Sequence, residues 1–165
     1  METLMSKRTF LGTAAAALAG LHLPGCAKRT DDGPVETFEV TKSPDEWAQL
    51  LTPEQYVVLR EESTERPRSS PLNDEKRDGT YACAACALPV YRAAAKFESG
   101  TGWPSFTSAI EGNIGTKEDD TFFTKRTEVH CRRCGSHLGH VFDDGPPPTG
   151  QRYCMNGVAM NFTAA

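Results

Sequence analysis

No stretch of the 165 residues approaches the roughly 18 consecutive apolar positions of a spanning helix, so no such helix is expected. Positive charge is also scarce. Eighteen Lys and Arg stand against 22 Asp and Glu, net −4, and no basic run extends beyond Arg132-Arg133. A chain held on nucleic acid by phosphate contacts normally carries a basic face, so nucleic acid is excluded as a partner. The length is short for two domains, and no internal repeat is visible beyond a duplicated cysteine pair. What is present is a soluble globular balance, 38% hydrophobic and 24% charged, with six cysteines. Most of the Gly and Pro fall after position 65, which points to a loop-rich, β-rich body rather than a helix bundle.

Residues 1–25 read as an export signal. Lys7-Arg8 precedes a mildly apolar run of mostly Ala, Gly and Leu from Phe10 to Leu23. Ser6-Lys7-Arg8-Thr9-Phe10-Leu11 resembles the twin-arginine export motif, with Lys in place of the first Arg. Leu23-Pro24-Gly25-Cys26 resembles a bacterial lipoprotein cleavage box, which would make Cys26 the acylated first residue of an exported protein, periplasmic or held at the cell envelope. The alternative, a buried amphipathic helix, lacks a polar face. Removing the signal takes away two basic residues and one acidic one, leaving 16 against 21 and net −5. Residues 26–42 have linker composition, and one domain is expected over 43–165.

That domain should open with two short helices. Ser43-Pro44-Asp45-Glu46 and Thr52-Pro53-Glu54-Gln55 are capping boxes with Pro at the first helical position. They predict helices over about 44–51 and 53–61, with Trp47, Leu50, Tyr56 and Leu59 facing inward. After Arg66 short β segments take over, near 79–82, 104–109, 121–130 and 152–162.

Cys83-Ala84-Ala85-Cys86 and Cys131-Arg132-Arg133-Cys134 are two Cys-x-x-Cys knuckles 44 residues apart. Each puts two thiolates on one tight turn, and together they close a four-sulfur site suited to one zinc ion. Iron shares that preference, and two disulfides are the alternative. With every ligand supplied by protein, the metal would be structural.

Cys154 stands apart. A lone Cys in a strand is more often a small buried hydrophobe than a nucleophile. Two-residue periodicity nevertheless places Arg152, Cys154 and Asn156 on one face, a row of cation, thiol and amide. His137 and His140 follow the second knuckle, which could fix their position. Trp103, between Gly102 and Pro104, is either core or an apolar wall for a methyl or thioether group.

Together these segments resemble the B-type methionine sulfoxide reductases, the peptide-methionine (R)-S-oxide reductases. The resemblance runs from about Trp47 to Phe162. It rests on Phe97-Glu98-Ser99-Gly100-Thr101-Gly102-Trp103-Pro104-Ser105-Phe106, on His137-Leu138-Gly139-His140-Val141-Phe142-Asp143-Asp144-Gly145-Pro146, on Arg152-Tyr153-Cys154-Met155-Asn156 and on both knuckles. It implies a mainly β fold of two antiparallel β-sheets, tent-like, with short N-terminal helices and a structural four-cysteine zinc site away from the active site. It also implies thiol-dependent reduction of the R epimer of methionine sulfoxide in peptides and proteins. Cys154 would attack the sulfoxide sulfur and become a sulfenic acid, which a thioredoxin-like thiol then reduces. His137, His140 and Asn156 would hold the sulfoxide oxygen, Arg152 would support the thiolate and Trp103 would receive the ε-methyl. Many relatives carry a resolving cysteine where this chain has Thr101. A one-cysteine cycle in a monomer is therefore expected, unless an unlipidated Cys26 serves as resolver. The rival reading, a zinc-stabilised binding module without turnover, leaves Cys154, both histidines and Trp103 unemployed.

Overall fold

A computed structural model describes residues 36–120 and 125–165. The export signal, Cys26 and the linker through residue 35 lie outside the described residues, as do residues 121–124 of the anticipated 121–130 strand.

Two helices lead, α1 (Pro44–Leu50) and α2 (Pro53–Arg60). Each closes its capping box: Ser43 with Glu46, and Thr52 with Gln55. The two boxes satisfy amide donors that a short helix otherwise leaves bare. Trp47 and Leu59 are buried as anticipated, and Tyr56 is half-buried. Leu50 is not: it is 61% exposed, and Leu51 is buried in its place. Leu51 lies four residues after Trp47, and its N–H closes on the Trp47 carbonyl, so it returns to the inward stripe that Leu50 misses. Among the described residues no helix is long and apolar enough to cross a membrane.

The body is mainly β, in two antiparallel sheets. The smaller has the order β2–β1–β9, with β1 at Gly79–Cys83, β2 at Pro89–Arg92 and β9 at Met160–Ala164. The larger has the order β3–β4–β8–β7–β6–β5. Its strands are β3 (Lys96–Phe97), β4 (Ser105–Phe106), β5 (Ile114–Asp119), β6 (Arg126–Cys131), β7 (His137–Phe142) and β8 (Arg152–Met155). The anticipated strand over 152–162 is in fact two, β8 and β9, separated by a 3-10 turn at Gly157–Ala159 that carries the chain from one sheet to the other. An aromatic cluster joins the sheets. Tyr91 stacks on Phe106 at 4.4 Å, Tyr81 meets the same ring edge-on at 5.0 Å, and the Tyr91 hydroxyl donates to Met155 Sδ at 2.9 Å.

The compact unit begins at Glu36, so residues 36–42 contribute contacts of their own. Val40 N–H donates to Arg133 O at 2.9 Å, and the Phe38 ring lies edge-on to His130. From α2, Arg60 sits over the Trp47 ring and donates to Cys134 O and Ser136 Oγ, which pins the helices to the second knuckle.

Candidate active site

Both knuckles fold as the spacing requires. Cys83 and Cys86 flank the β1–β2 turn, and Cys131 and Cys134 flank the β6–β7 turn, so the four sulfurs join the two sheets. All four lie within 4.8 Å of one another, with Cys83 to Cys134 at 3.8 Å and Cys86 to Cys131 at 3.5 Å. A disulfide needs about 2.05 Å, whereas zinc held by thiolates at about 2.3 Å in a tetrahedron keeps its sulfurs about 3.8 Å apart. The five cysteines among the described residues are free, so the two-disulfide alternative falls and the cluster fits one structural zinc ion.

Cys154 sits at the centre of the large sheet, opposite Ser105 of β4 on one side and His140 of β7 on the other. Beyond His140 the same row continues through Glu128 of β6 to Lys117 of β5. Residues three apart on a regular strand face opposite sides. The pairing of β6 with β7 slips at Val129/His130, leaving Leu138 as an extra residue, and this brings His137 back to the face of His140. Their rings meet edge-on, 5.3 Å apart. Gly139 lets β7 pack closely on β8, because a Cβ there would stand 2.2 Å from the Cys154 carbonyl oxygen.

Of the residues singled out from the sequence, Trp103, His140, Cys154 and Asn156 line one cavity of about 130 Å3, joined by Thr64, Arg126, Gly139 and Phe142. His137 and Arg152 stand outside its lining. His137 is fully buried, and its Nδ1 meets Glu128 Oε1 at 2.7 Å. Arg152 lies over the Phe142 ring and forks onto Asp144 at 2.8 and 2.9 Å. Trp103 donates its indole N–H to Glu65 O at 3.1 Å. Asn156 accepts from Glu65 N–H through Oδ1 and donates one amide hydrogen to Leu138 O. The cavity is thus lined by aromatic rings, Trp103 and Phe142, by hydrogen-bonding groups, His140 and Asn156, and by a half-buried thiol, Cys154.

The electrostatics divide by residue. Burial pushes the Cys154 thiol above the ordinary thiol range, against the pull of the Thr101 hydroxyl, the Arg152 charge and the Ser105 hydroxyl. Thr101 Oγ1 stands 3.9 Å from the sulfur, and Ser99 links the hydroxyls of Thr101 and Ser105 at 2.9 and 2.7 Å. Burial holds His140 below its usual value, although Asp119 Oδ2, shared with Arg126, meets its Nε2 at 2.8 Å. Burial would raise Glu128, but contacts from His130, His137 and Lys117 outweigh it and hold the carboxyl well below the usual range. Glu65, Asp119 and Glu128 were not anticipated. Their neighbours in sequence form no motif, and only the fold brings them to the histidines, Trp103 and Asn156.

Comparison with known proteins agrees with this geometry. Residues 51–164 match the family described as the SelR domain. A peptide methionine sulfoxide reductase MsrB of Methanosarcina barkeri is 56% identical over 124 residues, covering 74% of this chain and 87% of the relative. A second MsrB, from Pseudomonas putida, is 52% identical over 124 residues, covering 74% of this chain and 95% of the relative. A third, from Leifsonia xyli, is 50% identical over 127 residues, covering 76% and 91%. With the family model spanning most of the folded domain, and relatives matched over nearly their full length, the chain belongs to the SelR domain family, that of the MsrB methionine sulfoxide reductases.

Proposed function

We propose that this chain reduces the R epimer of methionine sulfoxide in peptides and proteins to methionine, using an external thiol as reductant, with Cys154 as the nucleophile. One observation carries the reading: a half-buried thiol lines the same small cavity as the Trp103 indole and the polar side chains of His140 and Asn156. A sulfoxide presents an apolar methyl, a polar oxygen and an electrophilic sulfur at three corners. A cavity lined by a thiol, an apolar ring and hydrogen-bonding groups offers a partner for each corner and so favours one hand.

In this reading the Cys154 sulfur attacks the substrate sulfur while the S–O bond breaks and the oxygen passes to Cys154. The thiol proton balances the step, so methionine leaves and Cys154 remains as a sulfenic acid. The remaining amide hydrogen of Asn156 and the ring of His140 hold the oxygen as it gains its proton. Asp119 fixes the His140 ring and Glu128 that of His137, which backs His140. Arg152, oriented by Asp144, favours the thiolate. Two equivalents of external thiol then return Cys154 to the thiol, releasing water and a disulfide. No second thiol stands near Cys154 among the described residues, and Thr101 occupies the nearest loop position. The four knuckle cysteines would hold zinc for folding and take no part in this chemistry.

The remaining proposals concern residues outside the described part. Residues 1–25 would direct export and Cys26 would carry a lipid, placing a monomeric enzyme at the bacterial envelope; fatty-acid labelling of the wild type against Cys26→Ala tests this. The function itself is tested by steady-state assay on separated epimers of a peptide methionine sulfoxide with dithiothreitol. Turnover of R alone is expected. Equal turnover of both epimers, or of neither, would contradict the reading.

A further inference from the structure

Glu65 ends the segment that follows α2 and is almost fully buried, although it touches no cysteine and lies in no motif. Its carbonyl accepts the Trp103 indole N–H at 3.1 Å, and its own N–H donates to Asn156 Oδ1 at 3.0 Å. Its carboxylate accepts from Gly157 N–H at 2.7 Å and Val158 N–H at 2.9 Å, the first amides after Asn156. The neighbouring residues brace the same loop. Arg68 N–H and the Asn73 side-chain amide both donate to Gly102 O, at 2.7 and 3.1 Å. Trp103 and Asn156 line the cavity from different parts of the chain, and among the described residues Glu65 is the one whose hydrogen bonds reach both side chains.

We propose that Glu65 is a positioning residue for the sulfoxide site, fixing the Trp103 wall and the Asn156 amide relative to one another. The proposal rests on the reductase reading and adds a residue that sets how well the cavity fits its substrate. The carboxylate is the handle. It anchors the backbone just past Asn156, and through that anchor it holds the Glu65 main chain where Trp103 and Asn156 need it. A buried carboxylate accepting two amide hydrogens is expensive to replace, because each orphaned N–H loses its partner. Glu65→Gln keeps the shape but turns one acceptor into a donor facing an amide N–H. Glu65→Ala removes both acceptors.

The chain has two tryptophans, so a Trp47→Phe background makes Trp103 the sole tryptophan, excited selectively over the tyrosines at the red edge of its absorption. In that background, Glu65→Gln should raise KM for an R-sulfoxide peptide about fivefold with a smaller fall in kcat, and Glu65→Ala should lower kcat/KM more than tenfold. Trp103 should become more open to acrylamide quenching in the same order. Zinc content, far-UV circular dichroism and the alkylation rate of Cys154 should stay within twofold of the parent. Full activity in both variants would overturn the proposal. So would loss of activity with unchanged Trp103 quenching, or loss accompanied by falling zinc content and helicity, which would mark a merely structural role. If the parent itself fails to turn over R-sulfoxide, the reductase reading fails, and the quenching series still reports whether Glu65 holds Trp103.

Discussion

The chain uses cysteine in two regions that obey opposite rules. At the junction of the sheets, four sulfurs converge from two turns and leave no open position. At the centre of the large sheet one sulfur stands alone, half-buried, lining a cavity and 3.9 Å from the Thr101 hydroxyl. The strand β6 touches both, with Cys131 at one end and Arg126 at the other, about 17 Å apart along an extended chain. The first region stabilises by saturation: every thiolate has its place and none is free to react. The second is reactive because it is incomplete. Thiol chemistry here is decided by the number of sulfurs within reach of one another.

The sharpest way to break the comparison is at the metal cluster. Cys83→Ser should remove about 10 kcal/mol of zinc-linked folding free energy, enough to unfold the domain, as seen in far-UV circular dichroism and metal analysis. A folded, zinc-free Cys83→Ser protein would show that the cluster is dispensable. Cys154→Ser should do the reverse, abolishing turnover while leaving zinc stoichiometry and the melting temperature unchanged.

A smaller effect sharpens the electrostatic side. Burial raises the Cys154 thiol, so the thiolate fraction and the rate of iodoacetamide alkylation in the free enzyme should keep rising with pH beyond about 8.5, the ordinary thiol value. Arg152→Ala removes a charge that lowers the same group. It should move that profile further toward alkaline pH and slow alkylation at neutral pH several-fold; a profile unmoved by the substitution would remove Arg152 from the account. The smallest effect lies in the knuckles themselves. Each ends in a left-handed residue, Gly135 at φ 66° and Ala87 at φ 59°. Only the alanine carries a Cβ penalty there, so Ala87→Gly should stabilise the domain by about 0.5 kcal/mol, the relieved strain exceeding the entropy cost. Denaturant midpoints would read it.

What the sequence made legible was chemistry with a fixed local spacing. The capping boxes predicted both helices to within a residue, because their hydrogen bonds span three positions. The two knuckles predicted the four-sulfur cluster for the same reason. Two-residue alternation along β8 also brought Cys154 and the next residue but one, Asn156, just past the strand's end, to one cavity. The slip in β7 was not legible: spacing alone places His137 and His140 on opposite faces, and only the extra residue at Leu138 reunites them. Nor were Glu65, Glu128 and Asp119, each joined to its site partner across the fold. Leu50 shows the limit for burial, since one residue of helix phase decides whether a leucine faces the core or water.

The central claim is that the isolated sulfur, and no other, meets the sulfoxide. The most direct test is a single-turnover reaction of pre-reduced, zinc-loaded protein with each epimer, without added reductant, followed by peptide mass mapping. The account predicts about one equivalent of methionine from the R epimer only, with Cys154 trapped as the sulfenic acid and the four knuckle cysteines unmodified. Methionine formed with Cys154 still a free thiol, or with a knuckle cysteine oxidised in its place, would contradict it.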